Sequence, residues 1–232
     1  MHETVQLSHR WNRSYWLATG AERAFLLLEV AGMGDFMLKM VPSDRVRITR
    51  INGLPNRSDA SICLNLKIGE TEDRQVRPIL VELALGPHPF GTHQVLQLEW
   101  STWKGMSSEP SPVHTYGIEA EFVHDYNLVA TSANREVEKQ VLFVETMIVL
   151  DQVLGFCREG KWYNAALILK RQVDTTLYAA ILMQDGELCR EAEKLYLALR
   201  MVLRKEAGRP DSHYVYRALL ADSGYEERER IV

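Results

Sequence analysis

The hydrophobic pattern changes period once along the chain, near residue 134. Before that point apolar and polar residues mostly alternate. After it apolar residues recur every three or four positions. A period of two puts one face of a strand against a core, and a period near 3.6 does the same for a helix. Residues 4–9, 45–51 and 61–66 alternate cleanly. Residues 23–30 form a denser apolar run, as in a strand covered on both faces. Longer strands are expected over 75–85, 92–103 and 113–123, the first ending at Gly86-Pro87. Asn52-Gly53 and Leu54-Pro55-Asn56 supply turn chemistry between them. Many short strands with no helical pattern between them predict an antiparallel β-sandwich.

The second half predicts about three helices. Asn134 or Ser132 is suited to cap the first, because a short polar side chain accepts a hydrogen bond from a free N–H of the opening turn. Its apolar residues form two stripes, Val137-Val141-Val144-Ile148 and Phe143-Met147-Leu150-Leu154. Glu159-Gly160 ends it. A second helix over 161–183 carries Trp162, Ala166, Leu169, Val173 and Leu177 on its face. Arg171 and Asp174 on that helix are expected to form a local ion pair. After the turn at Asp185-Gly186, a third helix presents Leu188, Ala192, Leu195, Leu199 and Val202, stopping before Gly208 and Pro210. The expected division is a sandwich over 1–130, helices over 131–207, and a tail over 208–232 with a short helix at 214–220. The fold class is α+β, mainly β first and helical afterwards.

Composition narrows function more than fold. The chain has 232 residues, a net charge of −4 and no Lys/Arg tract interleaved with aromatics, so nucleic acid is not an expected partner. No basic segment followed by an apolar one opens the chain, so no signal peptide is expected. The longest apolar run, 141–156, is interrupted by Glu145 and Asp151 and reads as too short and too charged to cross a bilayer. Cys63, Cys157 and Cys189 are far apart and odd in number, which suits free thiols in a cytoplasmic protein.

Candidate chemistry is sparse. His88 and His93 flank a turn, but no nearby Cys or carboxylate completes a four-ligand zinc set. Glu121 and His124 have E-x-x-H spacing, but on a strand those two positions point to opposite faces. Ser8-His9, Asp125 and Asp211-Ser212-His213 supply triad residue types without a nucleophile elbow, and no phosphate-binding G-x-x-x-x-G-K-[ST] loop occurs. No catalytic residue, metal ligand or cofactor is expected. One local cluster stands out, Trp11, Tyr15 and Trp16 beside Arg10 and Arg13. Exposed Trp, Tyr and Arg are common anchors at protein interfaces, so Trp11, Arg13, Tyr15 and Trp16 are the candidate interaction residues. The competing reading is that this hairpin folds back onto the sandwich, as aromatic residues usually do.

Four segments carry a family resemblance. They are Val5-Gln6-Leu7 with Phe25-Leu26-Leu27-Leu28-Glu29-Val30; the strand Arg74 to Leu83; Gly91-Thr92-His93 running on to Trp100; and Asn134-Arg135-Glu136-Val137 with Glu159-Gly160-Lys161-Trp162-Tyr163-Asn164-Ala165-Ala166. In order and spacing they resemble the β-sandwich and C-terminal helical region of bacterial von Willebrand factor A (vWA) domain proteins, over most of residues 3–205. In that family the vWA domain enters between the leading strands and the later ones. Here only Gly32-Met33-Gly34-Asp35 stands at the joint, so the vWA domain itself is missing between about residues 30 and 36. The family's Mg²⁺ site uses a D-x-S-x-S loop, which this chain lacks, so none of its metal residues carries over. The resemblance implies a non-catalytic bacterial assembly module that binds protein partners, including itself. The alternative it implies is a regulatory subunit docking to a MoxR-type AAA+ ATPase.

Overall fold

A computed structural model describes residues 6–32, 34–55, 61–68, 75–103 and 113–206. Ten strands come first: β1 (Gln6–Trp11), β2 (Tyr15–Leu17), β3 (Ala21–Gly32), β4 (Gly34–Pro42), β5 (Val46–Ile51), β6 (Leu54–Pro55), β7 (Ile62–Ile68), β8 (Gln75–Leu85), β9 (Gly91–Trp103) and β10 (His114–Val123). They form two five-stranded sheets, ordered β1-β3-β8-β5-β6 and β2-β10-β9-β4-β7. The leading strands do pair with later ones, since β3 runs antiparallel to β8 with Leu27 opposite Leu80. One pairing departs from the expected antiparallel plan: β2 lies parallel to β10, with Trp16 opposite Phe122. β2 arrives there from β1 in the other sheet, so no hairpin fixes its direction.

The sandwich follows from alternation. On β3, Ala24, Leu26, Leu28 and Val30 are buried in the core; on β8, Ile79, Val81, Leu83 and Leu85 join them. The second sheet answers with Phe36, Leu38 and Met40 from β4, Leu96 and Leu98 from β9, and Ile118 and Phe122 from β10. Each such side chain fully removed from water contributes about 1.5–3 kcal/mol. The denser run on β3 is also accounted for. Its outward residues Phe25 and Leu27 are buried too, and the Arg23 guanidinium lies 5.0 Å from the Phe25 ring centre. β4 was not legible as a strand, because Phe36-Met37-Leu38-Lys39-Met40-Val41 has only one polar residue to mark a period.

Two turns fix the ends of strands. Asn52 (φ 47°) and Gly53 (φ 83°) both adopt the left-handed region, the requirement of a type I′ hairpin turn. Asn52 Oδ1 then accepts from Leu80 N at 2.8 Å, tying the turn to β8. Gly20 (φ 94°) passes so close to β8 that a Cβ there would sit 2.3 Å from the Leu85 carbonyl oxygen.

Four helices follow among the described residues: α1 (Tyr126–Thr131), α2 (Arg135–Arg158), α3 (Trp162–Met183) and α4 (Gly186–Glu206). The six-residue α1 was not anticipated, since Asp125 caps it but it has no buried face to leave a pattern. Of the two candidate caps for α2, Asn134 does the work, its Oδ1 accepting from Glu136 N at 3.1 Å. Ser132 instead ends α1. Asp185 caps α4, accepting from Glu187 N at 2.8 Å and Leu188 N at 3.1 Å, and Gly186 is the first helical residue rather than part of the turn.

The chain divides into two compact units, Met1–Val141 and Leu142–Val232. The core of the second is built from Leu150, Val153, Leu169, Val173, Leu195, Leu199 and Val202, with Ala165, Ala166 and Ala198 allowing close approach. The buried residues of α2 are Val137, Val141, Thr146, Leu150, Val153 and Cys157, which corrects the two expected stripes. Val144, Ile148, Phe143, Met147 and Leu154 are only half-buried. On α3, Leu177 lies outside the core, and Asp174 pairs with Lys170 (3.8 Å) rather than with Arg171. By length and composition alone, α2 contains an 18-residue stretch of mean hydropathy 1.5, apolar enough to cross a membrane, with 22% of that stretch buried. The tail over 208–232, its short helix at 214–220 and the stop at Gly208 and Pro210 lie outside the described residues, as do Asn56 and Met33.

Candidate interaction surface

The aromatic cluster folds inward. Trp16 is 3% exposed and belongs to the sandwich core. Trp11 packs against that core and meets Trp16 edge-on, with ring centres 5.8 Å apart. Its indole N–H donates to the Glu119 carbonyl at 2.9 Å. Arg13 donates from Nη1 to the Val129 carbonyl at 2.9 Å, and Tyr15 N donates to Ser132 Oγ at 3.4 Å. Arg10 Nη2 donates to both carboxylate oxygens of Glu29, at 2.9 and 2.7 Å. The four candidate residues are thus brought together, and Trp16 has no surface left for a partner.

The organising residue of this region is one the sequence did not mark. Asn12 is 4% exposed. Its N–H donates to Phe25 O (2.9 Å), and its Oδ1 accepts from Phe25 N (2.8 Å). Its Nδ2 donates to Glu138 (2.9 Å), and its carbonyl accepts from Asn134 N (2.8 Å). One side chain therefore fastens the β1–β2 turn to β3 and to the first turn of α2. A lone Asn between Trp11 and Arg13 reads from sequence as an ordinary turn residue, so only the fold shows its role.

The remaining candidate chemistry stays dispersed. The Ser8 hydroxyl donates to Glu29 (3.1 Å), the His9 ring packs 5.6 Å from Tyr116, and Asp125 is spent on capping α1. Burial pushes the His9 imidazole below its ordinary pKa. His88 and His93 have ring centres 5.7 Å apart, but each bonds a backbone carbonyl, Gly86 and Pro89 respectively. His88 stacks on Phe122 at 4.3 Å. No group of three or more His, Cys, Asp or Glu side chains suited to a metal exists among the described residues. With no D-x-S-x-S in the sequence, the residues present do not fit the vWA metal. Asp211-Ser212-His213 lie outside the described residues.

What the fold does leave open is apolar surface on two helices. Tyr163, Leu167, Leu177, Tyr178, Ile181 and Leu182 of α3 are exposed, as are Tyr196, Leu197 and Leu203 of α4. On the ten strands, Val76 and Tyr116 are the exposed large apolar residues among those described. Edge strands β1 and β7 end their sheets, but β7 is edged with Cys63, Asn65 and half-buried Ile62 and Leu64 rather than a flat apolar row.

No family profile matches the sequence, and no curated protein matches it. Solved structures do. The chain is similar to a von Willebrand factor type A protein from Catenulispora acidiphila, at 14% identity and a TM-score of 0.51, over 73% of this chain and 39% of that one. It also matches the ArnB paralog VWA2 from Sulfolobus acidocaldarius, at 13% identity and a TM-score of 0.40, over 70% of this chain and 38% of that one. The chain thus spans about two fifths of the length of the structures it matches. The likeness extends to the fold, which resembles that of vWA domain proteins.

Proposed function

We propose that this chain is a non-catalytic protein-interaction module of vWA type, with the sandwich as rigid carrier and the helical unit as the surface that meets a partner. The observation that carries this reading is the contrast in exposed apolar residues, six on α3 and three on α4. Solvated apolar area of that extent on a helix pair is what partner binding removes from water. The fold likeness to a vWA protein supports it. So does the joint between β3 and β4, where the chain leaves one sheet at Gly32 and enters the other at Gly34. That joint is where the family places its vWA domain, and the two strand ends are close enough for an insertion there to leave the sandwich intact. On this reading the chain corresponds to the flanks without the metal-binding insert.

Size-exclusion chromatography with light scattering, over a range of concentrations, tests this. A discrete oligomer supports an assembly module. A monomer at every concentration rejects self-assembly; if that monomer co-elutes with a MoxR-type ATPase only in the presence of nucleotide, the adaptor reading replaces it.

A further inference from the structure

We propose that α3 pairs with α3 of a second copy of this chain, antiparallel, with Lys170 of each copy against Asp174 of the other. This deepens the interaction-module reading and rests on it.

The exposed positions Tyr163, Leu167, Lys170, Asp174, Leu177 and Ile181 are spaced four, three, four, three and four residues apart. That is the heptad rhythm of a two-helix seam, in which knobs recur at alternating steps of three and four. The buried stripe of the same helix, Ala166, Leu169, Val173, Thr176 and Ala180, is offset by one residue throughout, about 100° around the helix. α3 therefore has two usable faces, one spent on its own unit and one open. The open one is well exposed: Tyr163 66%, Leu167 57% and Ile181 67%.

The seam is self-complementary. A symmetric dimer presents the same patch on both copies, so each residue must find its mate on the same list. With a two-fold axis passing beside position 172, Tyr163 meets Ile181, Leu167 meets Leu177, and Lys170 meets Asp174. Apolar residues face apolar ones at both ends, opposite charges face each other in the middle, and no seam residue is left without a mate. A parallel, in-register pairing would place Lys170 on Lys170 and Asp174 on Asp174. Like charges at a seam are a strong penalty, and polar seam residues are a known means of fixing register and orientation. In the single chain, Lys170 and Asp174 hold each other only loosely, at 3.8 Å, with both side chains about two-thirds exposed (67% and 66%). They are free to exchange that contact for the one across the axis.

Sedimentation equilibrium of the full chain tests the pairing with two charge reversals, Lys170→Asp and Asp174→Lys. Both positions are solvent-facing, so far-UV circular dichroism spectra of the variants should match that of the unaltered chain. The unaltered chain should be dimeric. Each reversal occurs twice in a dimer and replaces attraction by repulsion, so each should weaken the dimer about tenfold or more. Mixing the two variants should restore association as a heterodimer, because one copy then carries only acidic seam charges and the other only basic ones. That recovery cannot come from within one chain, where the repulsion persists. A dimer indifferent to both reversals, or a mixture that fails to associate, overturns the α3 pairing while leaving an interaction module that uses another surface. An unaltered chain that is monomeric at every concentration also overturns it. The broader reading falls with it only if that monomer binds no ATPase either.

Discussion

The two units answer the same problem differently. The sandwich buries Leu26, Leu28, Phe36, Leu38 and Leu98 between two sheets and exposes few large apolar side chains on its strands. The helical unit fills its interior partly with alanines and leaves six large apolar residues of α3 in water. A sheet has two faces, and here even the outer face of β3 is capped, with Phe25 and Leu27 buried. A helix between one neighbour and solvent has a free side, and on α3 that side is apolar at both ends. That difference is what the proposed interaction surface rests on.

Substitutions should sharpen the contrast. The largest effect is expected in the sandwich. Phe122→Ala removes a fully buried ring that stacks on His88, and should cost about 3–5 kcal/mol in urea unfolding. Asn12→Ala is next. It leaves the buried Phe25 N–H without an acceptor and cuts the tie to Glu138, which should cost about 2–3 kcal/mol, read in the same assay. Ile181→Glu should behave in the opposite way, leaving the unfolding midpoint of the monomer nearly unchanged while weakening self-association. In the helical core the sign reverses. Thr176 is fully buried, and its hydroxyl has no hydrogen-bond partner. Thr176→Val should therefore raise stability by about 1 kcal/mol, whereas Thr146→Val should lower it by stranding the Gln172 amide that donates to Thr146 at 2.9 Å.

The smallest effect concerns pH. Burial lowers the pKa of His9 below its ordinary 6.5. As pH falls from 6.5 toward the folded value, the unfolded chain takes up a proton that the folded chain refuses, so stability drops on acidification. His9→Gln should flatten that part of the profile, measured as the urea midpoint at about pH 7.5 against about pH 5.5.

Much of the fold was legible in the sequence because its strands and helices keep their periods. β8 spans Gln75–Leu85 as the alternation predicts, and α4 buries Leu188, Ala192, Leu195, Leu199 and Val202 as the heptad spacing predicts. β4 was illegible because a central strand with apolar residues on both faces has no period to read. β2 and α1 were illegible because three and six residues are too short to show one. The interaction surface was harder still. Tyr163, Leu167 and Ile181 look like core residues in a sequence, and Leu177 was assigned to the core on spacing alone. Only the position of the second stripe, Ala166 to Ala180, shows which face is already occupied. The Trp11–Trp16 cluster misleads in the opposite sense, since aromatic density near arginines marks an interface or a core equally well.

Hydrogen–deuterium exchange of the full chain at low and high concentration tests the central claim most directly. The account predicts slower exchange at high concentration in peptides from α3, with the strands of both sheets unchanged. Concentration-dependent protection confined to the edge strands β1 or β7, with α3 unaffected, would contradict it.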